Sequence, residues 1–277
     1  MIKKLRLVLA CLAMVGLQGL VAAEVPDATA EALMRKSGVW AQLGGLAVQV
    51  KAGIAQSATS GKMSAEDVKR LEELAEDAFA APRLRDAFLR EVSQQVTVAQ
   101  GADALKWYDS PTGQLMTRLE EASSANSDDM QRVMADGNKA LGSASTRRYT
   151  LLTQVVQATR SAEGMVAMQI NTTVAILQGL SNVAPNPAAP SADELRRSLE
   201  ARKPQMLAQS MGVVLTLFAL TYQTASDKEL EQYVKFLSSK SGSALSVVMN
   251  DALDKSLSAA AQRLGSSIPK VPGTTRL

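Results

Sequence analysis

Carboxylates, lysines, tyrosines and hydroxyls are the side chains left to do chemistry in this chain, because it contains no histidine and a single cysteine, Cys11. Without imidazole, Ser-His-Asp and Cys-His nucleophile pairs, histidine metal sites and histidine pH switching are excluded. The densest acidic group is Glu66, Asp67, Glu72, Glu73, Glu76 and Asp77. Glu72 with Glu76, and Glu73 with Asp77, lie four apart on adjoining helix faces, a spacing that can share a hard cation such as calcium. Lys69 and Arg70 stand among them and no compact loop of alternating oxygen ligands is present, so a solvated helix face is the preferred reading. Met130 with Met134, and Met165 with Met168, offer thioether pairs suited to copper(I), but with no partner ligand they read as core packing or a pliable apolar groove. Glu91, Glu120 and Glu121 are the carboxylates left for acid-base work; no motif places any of them in an apolar pocket, and each is expected at the surface. Gly-rich phosphate loops and zinc spacings are absent, so neither a cofactor nor a metal is expected.

The elements that would carry these residues begin after a segment that reads as an export signal. Lys3, Lys4 and Arg6 precede the apolar stretch Leu7 to Leu20, and Val21-Ala22-Ala23 presents small residues for cleavage before Glu24. Acylation at Cys11 would leave too short an apolar run, so Cys11 is read as filler of the signal and the mature chain as free of cysteine and disulfides. Of the 30 lysines and arginines against 27 acids, the three basic residues of the signal account for the whole excess. The mature chain is therefore formally neutral, and the electrostatic case for nucleic-acid binding disappears with the signal.

Downstream the periodicity is helical throughout, and no alternating run between turn signals predicts a strand. The expected helices run over 27–37, 39–57, 64–79, 82–99, 103–109, 111–141 with a break near Ser124 to Ser127, 146–180, 192–202, 204–223, 227–238 and 241–264. Ser64 with Asp67, Ser191 with Glu194 and Ser226 with Glu229 have the spacing of N-terminal caps, and Pro82, Pro111 and Pro204 suit first helical positions. Gly265 reads as the stop of the last helix. Met211 to Leu220 is the most apolar mature segment, too short to span a bilayer, and is expected as a buried helix, so no transmembrane segment is expected in the mature chain. Gly44-Gly45 within a helical pattern suggests a kink or a tight crossing.

An internal repeat organises these elements. Residues 64–70 (SAEDVKR) read again, type for type, as 191–197 (SADELRR), 127 positions later, and 105–113 (LKWYDSPTG) as 234–242 (VKFLSSKSG), 129 positions later. Two matches in the same order at nearly one offset point to duplication. In that register the Pro- and Ala-rich stretch Asn182 to Pro190 is a loop inside a unit, and the boundary falls near Gly142 to Ser145. The expected organisation is a signal over 1–23, helical unit 1 over 24–143, helical unit 2 over 144–265 and a tail over 266–277.

The segment Trp107-Tyr108-Asp109-Ser110-Pro111-Thr112-Gly113 resembles the aromatic-Tyr-x-Ser-Pro-x-Gly signature of a family of small exported bacterial proteins catalogued only as a domain of unknown function (number 2059). Leu33 to Gly38 and the helix after it look like that family's opening. Phe236, Ser239 and Gly242 fit the signature in the second copy, while Leu237 and Lys240 depart from it. The resemblance implies an all-helical envelope protein and brings no activity or catalytic residue.

Read physically, the signature is a helix junction. Ser110 caps the following helix, Pro111 occupies its first turn, Gly113 lets another backbone approach, and Trp107 and Tyr108 anchor the preceding helix. A ligand notch at the helix start is the functional alternative; the capping roles already account for these residue types. Trp107 and Phe236 are each expected to be buried against helices of their own unit. The expectation is thus an all-α protein of two related units, periplasmic or secreted after cleavage near Ala23. Its expected role is non-catalytic interaction with an envelope protein partner; the alternative is a carrier holding an apolar or lipid-like ligand between helices.

Overall fold

The computed structural model describes residues 24–58, 64–125, 129–183 and 189–268, and among them the protein is all-α. The helices are α1 (Asp27–Lys36), α2 (Val39–Ala58), α3 (Ala65–Ala78), α4 (Ala81–Gln95), α5 (Val98–Tyr108), α6 (Pro111–Ala125), α7 (Met130–Gly142), α8 (Thr146–Thr159), α9 (Ser161–Val183), α10 (Ala192–Thr221), α11 (Asp227–Leu237) and α12 (Lys240–Ser267). The only bridge pairing among the described residues joins Glu24 to Thr97 beside the α4–α5 connection. The signal read over 1–23 lies outside the described residues, as do 269–277 of the tail.

Local chemistry accounts for most helix starts. The hydroxyls of Ser64, Ser191 and Ser226 accept the backbone N–H of Asp67, Glu194 and Glu229, and at Ser191 and Ser226 the glutamate reaches back to the cap's own N–H. The same reciprocal box, Thr97 with Gln100, starts α5. It divides the helix expected over 82–99: Val96 turns extended and the next helix begins at Val98.

Three further expectations are overturned. The helix expected over 146–180 is broken at Arg160, which adopts a left-handed conformation (φ 53°) between α8 and α9. No glycine or proline marks that turn; Asn250 on α12 holds it by donating to the Thr159 carbonyl at 2.8 Å. Pro204 does not start a helix but lies inside the 30-residue α10. An interior proline removes one backbone hydrogen bond and crowds the preceding turn, and here tertiary packing carries the helix through. Leu195, Leu199, Met206 and Leu207 pack on Val166, Ile170 and Val174 of α9, while Val214, Leu215 and Ala219 beyond the proline enter a different core. The apolar stretch Met211 to Leu220 is therefore part of a helix long and apolar enough, by length and composition, to cross a membrane.

Gly265 is likewise not a stop, since α12 runs on to Ser267. A Cβ at Gly265 would sit 2.1 Å from the Ile176 carbonyl oxygen, and one at Gly179 would sit 2.0 Å from that of Gln262. The two glycines are reciprocal: each lets α9 and α12 meet backbone to backbone. The expected tight crossing therefore exists here, whereas at Gly44-Gly45 the nearest atoms are side-chain ends of Arg85 and Gln49.

The cores do not follow the two units. The first holds Val25, Leu33, Met34, Leu43, Phe88 and Val92 from the N-terminal half together with Leu245, Val248, Ala252, Leu257 and Leu264 of α12. The second holds Leu152, Val155, Val156, Tyr222, Leu230 and Tyr233 from the C-terminal half together with Met116 of α6. Each half accepts a helix from the other into its main core, while α9 and α10 of the C-terminal half close a smaller cluster of their own around Val166, Ile170 and Val174.

Candidate functional site

The motif residues meet where the two halves cross. In the first junction Ser110 accepts the Gly113 N–H at 3.0 Å, and its own N–H donates to the Trp107 carbonyl at 2.9 Å. In the second, Ser239 accepts the Gly242 N–H at 3.1 Å and donates to the Phe236 carbonyl at 2.9 Å. A Cβ on Gly113 would stand 2.1 Å from the Trp107 carbonyl oxygen, and one on Gly242 2.0 Å from that of Phe236. The backbone that each glycine admits is the last turn of the helix before it, which folds the corner tightly. Pro111 is the first residue of α6 and Lys240 that of α12, so the second corner forms without a proline.

The corners also face each other. Trp107 and Phe236 stack with ring centres 4.7 Å apart and planes 8° from parallel, and Tyr108 meets Phe236 edge-on at 6.1 Å. Ser241 donates to Asp103 at 2.8 Å, and Thr112 donates to Gln232. Ser241 and Gln232 lie 129 positions after Thr112 and Asp103 respectively, so the two bonds map onto each other under a shift of 129 positions, as contacts do across a two-fold axis. The expectation that Trp107 and Phe236 are buried within their own units is corrected by this geometry. Both are half-buried, and each rests on the other unit, because the corners approach with their aromatic sides together.

Behind the stacked pair lies a carboxylate. Glu120 of α6 accepts the hydroxyls of Tyr222 at 2.7 Å and Tyr233 at 2.8 Å. Phe218 packs edge-on against Tyr222, and Tyr222 against Tyr233. Arg148 of α8 fixes the turn that presents these tyrosines: it donates to the carbonyls of Tyr222 and Ala225 at 2.5 and 2.7 Å and pairs with Asp227 at 2.8 Å. Burial raises the Glu120 carboxyl above the ordinary carboxylate range, while the two tyrosine hydrogen bonds pull it back in part. Burial and the neighbouring carboxylate also push the Tyr108, Tyr222 and Tyr233 hydroxyls upward, so they remain protonated donors. Glu120 is thus not the surface acid expected of it. The signal that could have marked it is its place in α6, one turn after Met116 on the stripe that faces the second core.

Glu120 faces tyrosine hydroxyls rather than a second carboxylate, so the pair of acids that glycoside hydrolysis uses is not assembled there. Glu91 instead accepts Lys255 and Gln95, at 2.8 and 2.9 Å, and Glu121 is exposed. On α3 the acidic face is solvated and tied to bases: Glu66 to Arg70, Glu76 to Lys51 at 2.8 Å and Asp77 to Arg83 at 3.1 Å. Met165 packs on the second core and Met168 on the first, so that pair diverges, and Met130 is 53% exposed. Among the described residues no three carboxylate or cysteine side chains come together as a metal site.

One consequence of the buried acid is measurable. An acid whose folded pKa is raised holds its proton more tightly in the native state, so its contribution to stability is present at low pH and is lost as the pH rises from about 4.3, the unfolded value, through the folded one. Glu120→Gln removes that dependence. The variant is expected to gain on the parent progressively as the pH rises above about 4.3, as read in denaturant melts in acid and at neutral pH; parallel stability curves would show that Glu120 is not held against its charge.

Fold and site together define an all-α protein whose two halves are locked through paired helix corners, with aromatic residues and one carboxylate at the crossing. Comparison with known proteins finds no family model that matches the chain, no match among curated proteins and no match among solved structures.

Proposed function

We propose that the protein is a non-catalytic interaction protein of the bacterial envelope, exported by cleavage near Ala23 and descended from a duplicated helical unit. The observation that carries the non-catalytic reading is the use made of the motif: its serines, glycines and aromatics, with Glu120 behind them, join the two halves of the chain. A site for a reacting substrate needs a group left unengaged and space beside it. Here the caps, stacks and tyrosine hydrogen bonds engage the serines, the glycine N–H groups, the rings and Glu120 with one another, and the one buried group of the motif without a hydrogen-bond partner, the Trp107 indole N–H, is a donor only.

The duplication is supported by the correspondence of elements. α5 and α11 share boundaries at an offset of 129, and the only positive-φ positions among the described residues, Gly38 and Arg160, both join the first helix of a unit to its second. The exchanged arms read as the trace of a dimer whose two chains became one. The resemblance to the exported family rests on the first corner and accords with an envelope location.

The alternative, a carrier of an apolar ligand between helices, requires a cavity that apolar side chains leave open. The two main cores described above are each closed by helices from both halves, which favours interaction. The deciding experiment is expression with residues 1–23 attached, recovery of the periplasmic and secreted fractions, and mass spectrometry of the gently purified chain. An N-terminus at Glu24 and a protein free of any co-purifying uncharged apolar ligand are expected. An intact Met1 would overturn export by cleavage, and a stoichiometric uncharged apolar ligand would establish the carrier instead.

A further inference from the structure

Away from the crossing, α4 and α12 border an open cleft of about 320 Å³. Arg83, Leu84, Asp86, Ala87 and Arg90 line it from α4, and Ser256, Ala259, Ala260 and Arg263 from α12. Arg83, Ala87 and Arg90 fall on one stripe of α4 at helical spacing, and Ser256, Ala260 and Arg263 on one stripe of α12. The small residues in the middle of both stripes leave the floor low and apolar, and the guanidinium groups stand around it.

Three guanidinium groups line this cleft with one carboxylate, Asp86, and a second carboxylate, Asp77, pairs with Arg83 beside it, in a mature chain whose formal charge is zero. Two of them are held in place from behind. Arg83 pairs with Asp77 at 3.1 Å, and Arg263 leans on the Ala78 carbonyl at 3.4 Å, both at the C-terminal end of α3. Each of these contacts uses one nitrogen of a fork that carries five N–H donors. The Arg90 guanidinium makes no ion pair or hydrogen bond among the described residues, although Asp86 lies one turn away. The positions 129 residues from Arg83, Arg90 and Arg263 are Gly212, Ala219 and Met134. There α7 and α10 close directly on each other, since a Cβ at Gly137 would sit 2.6 Å from the Thr216 carbonyl oxygen. The arginines and the open cleft thus belong to one crossing and not to its counterpart.

We infer that the α4–α12 cleft is a binding site for a phosphate group, held by Arg83, Arg90 and Arg263 over an apolar floor. Guanidinium forks match the paired oxygens of phosphate, and several forks lining one cleft favour it over a single carboxylate. The Ala87, Ala259 and Ala260 floor suits a phosphate that carries an apolar body, as an anionic lipid does; free phosphate presents the same oxygens. This site is independent of the proposed envelope role and stands or falls separately from it.

The test is calorimetric titration of the full mature chain with inorganic phosphate at constant ionic strength, beside vesicles of phosphatidylglycerol in phosphatidylcholine and vesicles of phosphatidylcholine alone. Saturable binding of phosphate or of the phosphatidylglycerol vesicles is expected. It should weaken at least about tenfold in Arg90→Gln and in Arg263→Gln, the loss that about 1.4 kcal/mol of charged hydrogen bonding represents, and stay unchanged in Arg132→Gln, an exposed arginine on α7. Circular dichroism of each variant establishes that it is folded. Binding of free phosphate identifies the small anion as ligand, and binding of the anionic vesicles alone identifies the lipid headgroup. Binding unaffected by the two cleft substitutions, equal binding of phosphatidylcholine vesicles, or no saturable binding of either phosphate source would overturn the proposal.

Discussion

Gly265→Ala is expected to lower stability by about 3 kcal/mol, at the upper end of what overpacking costs, because the added methyl meets backbone and not a movable side chain. At this position the Cβ would lie 2.1 Å from the Ile176 carbonyl oxygen and 2.9 Å from its carbon, so α9 and α12 must separate. Separation loosens both cores at once. Ile176 and Met168 of α9 and Leu257, Ala261 and Leu264 of α12 belong to the first core, and Ala162 at the start of α9 belongs to the second. The contrasting substitution is Gly212→Ala on α10, where an added Cβ meets nothing within 4 Å. There the gain in helix propensity acts alone and should stabilise by about 0.5–1 kcal/mol. Urea melts of the two variants test the contrast. A Gly265→Ala protein as stable as the parent would mean that the helices do not cross at backbone distance.

Trp107→Ala is expected to cost about 3 kcal/mol, the lower end of the range for deleting a large aromatic, because the ring is only partly covered. Ser110→Ala should cost less, about 1 kcal/mol, as the loss of a cap. The informative measurement is a double-mutant cycle of Trp107→Ala with Phe236→Ala. The two rings stack at 4.7 Å across the halves, so the cycle should return a coupling of about 0.5–1.5 kcal/mol beyond the sum of separate burials. A coupling of zero would place the rings in separate packing environments, as the sequence alone suggested. Phe236→Ala should further reduce burial of Trp107 and shift its fluorescence to the red, which reports the contact directly in the folded state.

The helical class, the caps at Ser64, Ser191 and Ser226, and the corners at Ser110-Pro111 and Ser239-Lys240 were legible in the sequence because each depends on residues within one turn of one another. A hydroxyl three positions before a carboxylate, or a glycine three positions after a serine, carries its own geometry wherever the chain goes. The box of Thr97 with Gln100 was equally local and could have been read the same way. Arg160, Pro204 and Gly265 obey a different influence. An arginine takes a left-handed turn because Asn250 holds the adjoining carbonyl, a proline stays inside a helix packed on both sides of it, and a glycine that resembles a terminator serves a crossing with Gly179.

Two matched segments were visible in the sequence, and their spacing already related Trp107 to Phe236 and Thr112 to Ser241. What the matched segments could not convey was that related residues would touch. Periodicity tells which stripe of a helix is apolar, but not which half of the chain supplies the surface that covers it. Only the tertiary structure sends α12 into the first core and α6 into the second, and that exchange brings Glu120 from an expected place in solvent to the hydroxyls of Tyr222 and Tyr233. The same exchange sets Arg83 and Arg90 opposite Arg263, more than 170 residues away in the chain, because burying the apolar faces of α4 and α12 together fixes what their polar edges must share.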